Sequence, residues 1–289
     1  MGVREMKLKN VAVIGGGLMG RQIALNAAVH GYHVKLTDSA DTVLEAVKVW
    51  ADDYLAGRIA KGRMTAEQVA EIKSRFALVC DIREAVTDAD LLIEAVIENE
   101  DVKKSVFTEA AKYLPEGAII TSNSSRMPSS KFIDCVPDPG KLANLHYFNP
   151  ALVMKAVEVQ VHDRTTEDTV QTLLEFCVNN KKEPVLIQKE LDGMIVSRII
   201  NTINEQALYI VENGYAKPED VDKACVGGLN HPMGPFRLLD LTGIDLAFQI
   251  RDNQFKETGK KPVGYDLLKS YVEQNRLGRK TGKGFYDYE

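Results

Sequence analysis

Membrane spans, paired cysteines and positive charge are what this sequence lacks. No apolar run in the 289 residues approaches the length of about twenty that a membrane-crossing helix needs, which removes that class of protein from the reading. The four cysteines, Cys80, Cys135, Cys177 and Cys225, lie far apart, with no C-x-x-C and no histidine at ligand spacing beside them. Neither a disulfide framework nor a metal site is expected, and the thiols fit a reducing compartment. Lys and Arg number 36 against 41 Asp and Glu, a formal net charge of −5. Without a positive field, general binding to nucleic acid or to a membrane surface is not expected, and an anionic ligand must meet a local basic patch. The chain opens on Met1-Gly2, but Met6 stands where a myristoylation signal wants serine or threonine. The first strand begins within about ten residues, which leaves no room for a leader, so the cytoplasm is the expected location.

What is present concentrates in residues 11–20, VAVIGGGLMG. Four apolar, mostly β-branched residues read as a buried strand that runs straight into Gly15-x-Gly17-x-x-Gly20. Gly15 permits the tight turn, Gly17 clears the approach of a pyrophosphate, and Gly20 lets the next helix pack close to the sheet. The N–H groups at the start of that helix, around Leu18 and Met19, sit at the positive end of its dipole and face the anion. The helix is expected over residues 18–30, with Gly31 as its stop, and a second strand over 33–38 ends in Asp38, about twenty residues past the glycines. Asp38 is placed to accept from both hydroxyls of an adenosine ribose. Ser39 and Ala40 follow, with no arginine to receive a 2′-phosphate, so the cofactor reads as NAD rather than NADP.

Further strands are expected at 76–80, 91–96, 118–121, 141–146, 156–161 and 185–187, with helices at 42–56, 101–114 and 166–179. A basic link at 57–64 and the capping box Thr65-x-x-Gln68 complete a helix pair inserted between the second and third strands. This alternation predicts an α/β, Rossmann-type domain over residues 1–187, doubly wound on a largely parallel sheet. Only helices are expected over 188–289, led by a long amphipathic one at 194–213, which gives a smaller all-α C-terminal domain.

A nicotinamide enzyme that oxidises an alcohol needs a base for the hydroxyl proton, and histidine suits neutral pH. Five are available. His30 and His33 flank a helix-ending glycine and read as surface residues, His162 lies at a strand end, and His231 precedes Pro232 in a turn. His146 differs, because it ends a strand and begins HYFNP, with Glu158 twelve residues later on the next strand. Adjacent antiparallel strands would bring that acid beside the imidazole, to orient it and stabilise the imidazolium; spacing alone also allows a structural pair.

The glycine turn, together with EAVIENEDVKKSVF, TSNSS, HYFNP followed by VMKAVEV, DGMIVSRI, NHPMGPFRLLDLTGID and the terminal GRKTGKGFYDY, resembles the 3-hydroxyacyl-CoA dehydrogenase family. The likeness is greatest to its short bacterial 3-hydroxybutyryl-CoA dehydrogenases and covers essentially the whole chain. It implies NAD-dependent oxidation of L-3-hydroxyacyl-CoA to 3-ketoacyl-CoA, and the reverse, on short chains. By the same resemblance His146 is the base and Glu158 its partner, and Ser125 meets the substrate hydroxyl and the cofactor. Glu98 and Lys103 meet the dinucleotide, as does Lys280 from the tail, while Lys61, with Arg58 and Arg63 nearby, meets CoA phosphates. A homodimer through the C-terminal domain, which covers the cleft, is also implied.

Two positions depart from the family pattern. Ser197 stands where the family's asparagine points to the substrate and the histidine; serine keeps a donor and an acceptor but is shorter. Arg126 follows the paired serines where a small or apolar residue is common, and either turns outward or binds a carboxylate on the acyl chain. Two rival readings stay open at this point: a dehydrogenase of a CoA-free hydroxy or sugar acid such as L-gulonate, and a catalytically silent NAD(H)-binding protein.

Overall fold

The computed structural model describes residues 8–288, so Met1, Gly2 and Met6, considered above for a lipid signal, lie outside the described residues. The chain divides into two compact units, one ending at Ile195 and the other beginning at Val196.

The N-terminal unit is built on eight strands. In chain order it runs β1 (Asn10–Ile14), α1 (Leu18–Val29), β2 (His33–Thr37), α2 (Asp41–Ala60), α3 (Ala66–Ser74), β3 (Phe76–Val79), α4 (Ile82–Val86), β4 (Leu91–Glu94), α5 (Glu100–Ala111) and β5 (Ile119–Ser122). It continues through a 3-10 turn at Ser129–Cys135 to β6 (Leu142–Tyr147), β7 (Ala156–Gln160), α6 (Glu167–Asn179) and β8 (Glu183–Ile187). The sheet order is β3-β2-β1-β4-β5-β6-β7-β8. All neighbours are parallel except β6 and β7, which run antiparallel. The chain order reverses beside β1, so the carboxyl ends of β1 and β4 open the crevice where such sheets bind ligands.

Alternation along the strands explains why both sheet faces are covered. Val11 and Val13 join one core with Ile23, Leu44, Val69 and Phe176 from α1, α2, α3 and α6. Ala12 and Ile14 point the other way, into a core with Ala85, Phe107 and Phe132 from α4, α5 and the 3-10 turn. Thr65 and Gln68 form the expected capping box at the start of α3.

Local expectations fail in three places. Residues 57–60 are not a link but the end of α2, because Gly57 has open space around it and costs a helix only about 1 kcal/mol. The stop comes at Gly62, whose φ of +63° suits glycine. The five-residue α4 and the 3-10 turn are too short to show a period. His33 is exposed, but His30 is half-buried, its Nδ1 2.8 Å from the Asn26 carbonyl, and burial lowers its pKa.

The C-terminal unit is helical. α7 (Met194–Glu212) enters it, followed by α8 (Pro218–Leu229), α9 (Pro235–Thr242), α10 (Ile244–Thr258) and α11 (Tyr265–Glu273). They pack around Leu208, Phe236, Ile244 and Leu268, with Phe285 from the tail. Two buried aspartates stitch this unit. α9 has no capping side chain of its own; Asp222 on α8 accepts instead from its first-turn amides, Phe236 N at 2.8 Å and Arg237 N at 3.0 Å, and from the Tyr286 hydroxyl at 2.7 Å. Asp240 accepts from Phe285 N, Tyr286 N and the Tyr288 hydroxyl at 2.8, 2.9 and 2.8 Å, so the tail folds around one carboxylate. Among the described residues no helix is long and apolar enough to cross a membrane.

Candidate active site

The turn after β1 is shaped by its own packing at two of its three motif glycines. Gly15 has φ +108°, and a Cβ there would enter the Ala95 carbonyl just beyond β4; a Cβ on Gly20 would enter the Gly15 carbonyl. Gly17 is different, since a Cβ there would meet nothing within 4 Å. It is the N-cap of α1, no side chain caps the helix, and no acid lies in its first turn. The first amides of the helix are therefore left for an anion. Asp38, half-buried just past β2, accepts from Gly16 N at 2.7 Å and Ala40 N at 3.1 Å. A carboxylate so held keeps lone pairs for two further donors.

His146 and Glu158 are directly opposite in the β6–β7 ladder. Nδ1 lies 2.9 Å from Glu158 Oε2, and Glu158 is wholly buried while the His146 side chain keeps 11% of its surface open. Phe148 packs its ring against the imidazole at 4.7 Å between centroids. With Nδ1–H donated to the carboxylate, the ring is fixed in one orientation and Nε2 is the nitrogen free to take a proton. Lys182, itself buried, donates to the carbonyls of Ala151 and Met154 at 2.5 and 2.9 Å and so ties down the loop that follows HYFNP. Burial lowers its pKa.

A second buried cluster joins the ends of β4 and β5. Glu94 is wholly buried; its Oε1 accepts from Lys103 Nζ at 2.6 Å and Val96 N at 2.7 Å, and its Oε2 from the Ser122 hydroxyl at 2.6 Å. Lys103, 1% exposed, also reaches Glu98 at 3.3 Å. Glu98 accepts from the Ser124 hydroxyl, and that oxygen takes the amides of Arg126 and Met127. Ser125 is half-buried between these anchored neighbours. Arg126 is exposed and makes no ion pair among the described residues. Glu94 was not singled out from the sequence, although an acid inside the apolar run LLIEAV is a signal, since a buried carboxylate demands a partner.

Lys61 is exposed at the C-cap of α2, with exposed Arg63 and half-buried Arg58 beside it. Ser197 and Lys280 belong to the C-terminal unit, Ser197 half-buried in the first turn of α7. Lys280 is paired with Asp245. Burial raises the pKa of Asp245, but the Lys280 ammonium and nearby amides outweigh it, and the carboxyl sits below its ordinary value. His162 is buried just beyond β7, and its Nδ1 accepts from Arg164 N at 3.2 Å. His231 closes α8 through its backbone, donating to the Cys225 carbonyl at 3.2 Å.

Residues 10–191 match the model of the 3-hydroxyacyl-CoA dehydrogenase NAD binding domain, and residues 193–288 match that of the 3-hydroxyacyl-CoA dehydrogenase C-terminal domain. The chain belongs to the 3-hydroxyacyl-CoA dehydrogenase family. Among members of the family, it is 34% identical to the mitochondrial hydroxyacyl-coenzyme A dehydrogenase of Rattus norvegicus, over 99% of this chain and 93% of that one. It is 34% identical to the 3-hydroxybutyryl-CoA dehydrogenase of Clostridioides difficile, over 96% of this chain and 99% of the other. The solved structure of the (S)-3-hydroxybutyryl-CoA dehydrogenase of Ralstonia eutropha superposes with a TM-score of 0.88 at 28% identity, covering 98% of this chain and 100% of that one.

The family's NAD binding domain coincides with the N-terminal unit, and the residues present fit the cofactor. The open space at Gly17, the uncapped start of α1 and the amide-held Asp38 would receive its pyrophosphate and ribose.

Proposed function

We propose that this protein interconverts L-3-hydroxyacyl-CoA and 3-ketoacyl-CoA with NAD, on short acyl chains such as 3-hydroxybutyryl-CoA. The observation that carries the reading is the His146–Glu158 pair, 2.9 Å apart across a rigid ladder, which commits Nδ1 and leaves Nε2 for the proton. NAD, when bound, supplies the hydride acceptor for oxidation and, as NADH, the hydride donor for reduction. His146 takes the 3-hydroxyl proton at Nε2 in oxidation and returns it to the forming alkoxide in reduction. Glu158 stabilises the imidazolium in between and holds the ring for the next cycle.

Ser125 orients the substrate oxygen, with Ser197 in the role of the family's asparagine; Glu98, Lys103 and Lys280 contact the dinucleotide. Lys61, Arg58 and Arg63 form the local cationic patch for CoA phosphates on an otherwise acidic chain. We also read residues 188–289 as the substrate-covering and dimerising domain of a homodimer. Exposed Val196, Ile199, Val226, Leu229, Leu246 and Ile250 support this, as apolar surface on α7, α8 and α10. A cytoplasmic location belongs to the same reading and agrees with four free thiols.

The test is a steady-state assay of the purified protein with acetoacetyl-CoA, longer 3-ketoacyl-CoAs and CoA-free keto acids, each with NADH and NADPH. Turnover of acetoacetyl-CoA with NADH is the expected result. Reduction of the free acids alone would overturn it.

A further inference from the structure

The proton transfer makes no use of the charges buried between β4 and α5, yet they lie where two functional segments meet. Glu94 ends β4, and the next residue, Ala95, sets its carbonyl against Gly15 of the nucleotide turn. One carboxylate oxygen of Glu94 holds Lys103 and the other holds Ser122 at the end of β5. From Lys103 the chain of contacts passes to Glu98, then to the Ser124 hydroxyl, and back to the amides of Arg126 and Met127. Ser125 is thus bracketed by Ser122 and Ser124, and both brackets lead to Lys103.

Burying a carboxylate and an ammonium costs several kcal/mol per ion, and a well-packed apolar pair of the same volume is often as stable. Folding alone therefore gives no reason to keep charge here. What charge adds is direction: short charge-assisted hydrogen bonds fix Lys103 and Ser122 to a single arrangement.

We propose that Glu94 is a positioning residue, coupling occupancy of the dinucleotide site at Lys103 and Glu98 to the order of the loop that carries Ser125. The proposal rests on Lys103 and Glu98 contacting the dinucleotide, as the preceding section reads them. Nucleotide bound there steadies Glu98 and, through it, buried Lys103; Glu94 passes the constraint to Ser122, a second arm beside the direct one from Glu98 to Ser124, and Ser125 is held more firmly for substrate when the cofactor is in place.

Amide hydrogen exchange, followed by mass spectrometry on peptides covering residues 123–127 with and without saturating NADH, tests this without turnover. NADH should slow exchange there by about tenfold in the wild type, within the usual range of site-to-site coupling. Glu94→Gln, saturated with NADH as checked by fluorescence titration, should lose a large part of that protection. Ser122→Ala cuts the arm from Glu94 and leaves the one from Glu98 to Ser124; it should lose part of the protection while keeping its NADH affinity, and lower kcat with KM for NADH unchanged. Lys103→Met should instead weaken NADH binding by about tenfold. Protection undiminished in Glu94→Gln or in Ser122→Ala overturns the proposal, as does a wild-type loop that NADH leaves unchanged. Should Glu94→Gln fail to fold, Ser122→Ala decides. Failure of the underlying reading looks different: NADH affinity equal to that of the wild type in both Lys103→Met and Glu98→Gln.

Discussion

In the N-terminal unit Glu158 and Glu94, both wholly buried, face an imidazole and an ammonium; in the C-terminal unit Asp222 and Asp240, 5% and 1% exposed, face backbone amides and tyrosine hydroxyls. All four pay the same desolvation cost, but their partners differ in what they can do. An imidazole changes its proton count and an ammonium can exchange partners, so in the proposed function Glu158 bears on the proton transfer and Glu94 on positioning. An amide N–H can do neither, so Asp222 and Asp240 only fix backbone: one caps α9 from a neighbouring helix, the other gathers the tail. The partner, more than the acid, separates a functional buried charge from a structural one.

This contrast is broken most directly at the dyad. His146→Gln is expected to lower kcat by at least about a hundredfold, the reach of general acid–base catalysis, with NADH affinity and thermal stability little changed. Glu158→Gln should lose most activity as well, because a neutral amide cannot stabilise the imidazolium. If either variant turns over normally, the pair is structural and the contrast collapses. Asp240→Ala should do the reverse: it strands Phe285 N, Tyr286 N and the Tyr288 hydroxyl, and unfolding by denaturant should show a loss of about 2 kcal/mol.

Asp38 stands between the two classes, held by amides yet open to a ligand. Asp38→Ala should narrow the preference for NADH over NADPH by about tenfold in kcat/KM, since the repulsion of a 2′-phosphate is removed. Equal efficiency of the wild type with both cofactors would remove Asp38 from cofactor choice. The smallest effect concerns a buried acid with no charged role. Burial pushes the Cys177 thiol from 9.0 up to about 12, with Lys182 opposing. Its folded pKa is raised, so its contribution is fully present below about pH 9 and is lost as pH climbs toward 12. Replacing it by alanine should flatten the alkaline fall in stability by about 1 kcal/mol near pH 10, read from denaturant midpoints against pH.

Much of the fold was legible because its signals are local. Eight apolar runs became the eight strands, and the glycine turn, the α1 stop and the Thr65 capping box all sit in a few consecutive residues. The juxtaposition of His146 and Glu158 was readable from a spacing of twelve with a turn between, because antiparallel neighbours pair by simple counting. Long-range partners were not readable. Nothing in EAVIENEDVKK says that Glu94, rather than Glu98, holds the buried end of Lys103, because that choice depends on where α5 packs against β4. Asp222 and Asp240 carry no local signal of their role, and only the fold brings backbone N–H groups 14 and 45 residues away to meet them. The link at 57–64 misled for a local reason: glycine marks a stop only where the backbone needs positive φ, which Gly62 does.

The antiparallel turn-back of β7 on β6 has a consequence for how such a chain can change over generations. Because His146 and Glu158 are cross-strand partners, their pairing is set by ladder register, while the residues between the strands are free of that constraint. Insertions, deletions or exchanges in the connecting segment can reshape what the imidazole meets without moving the acid behind it. A shift of one residue inside either strand would instead turn one partner to the opposite face. What packs on the imidazole, such as Phe148, and what stands behind it are thus written in separable stretches of sequence, so a lineage can alter the first while inheriting the second intact.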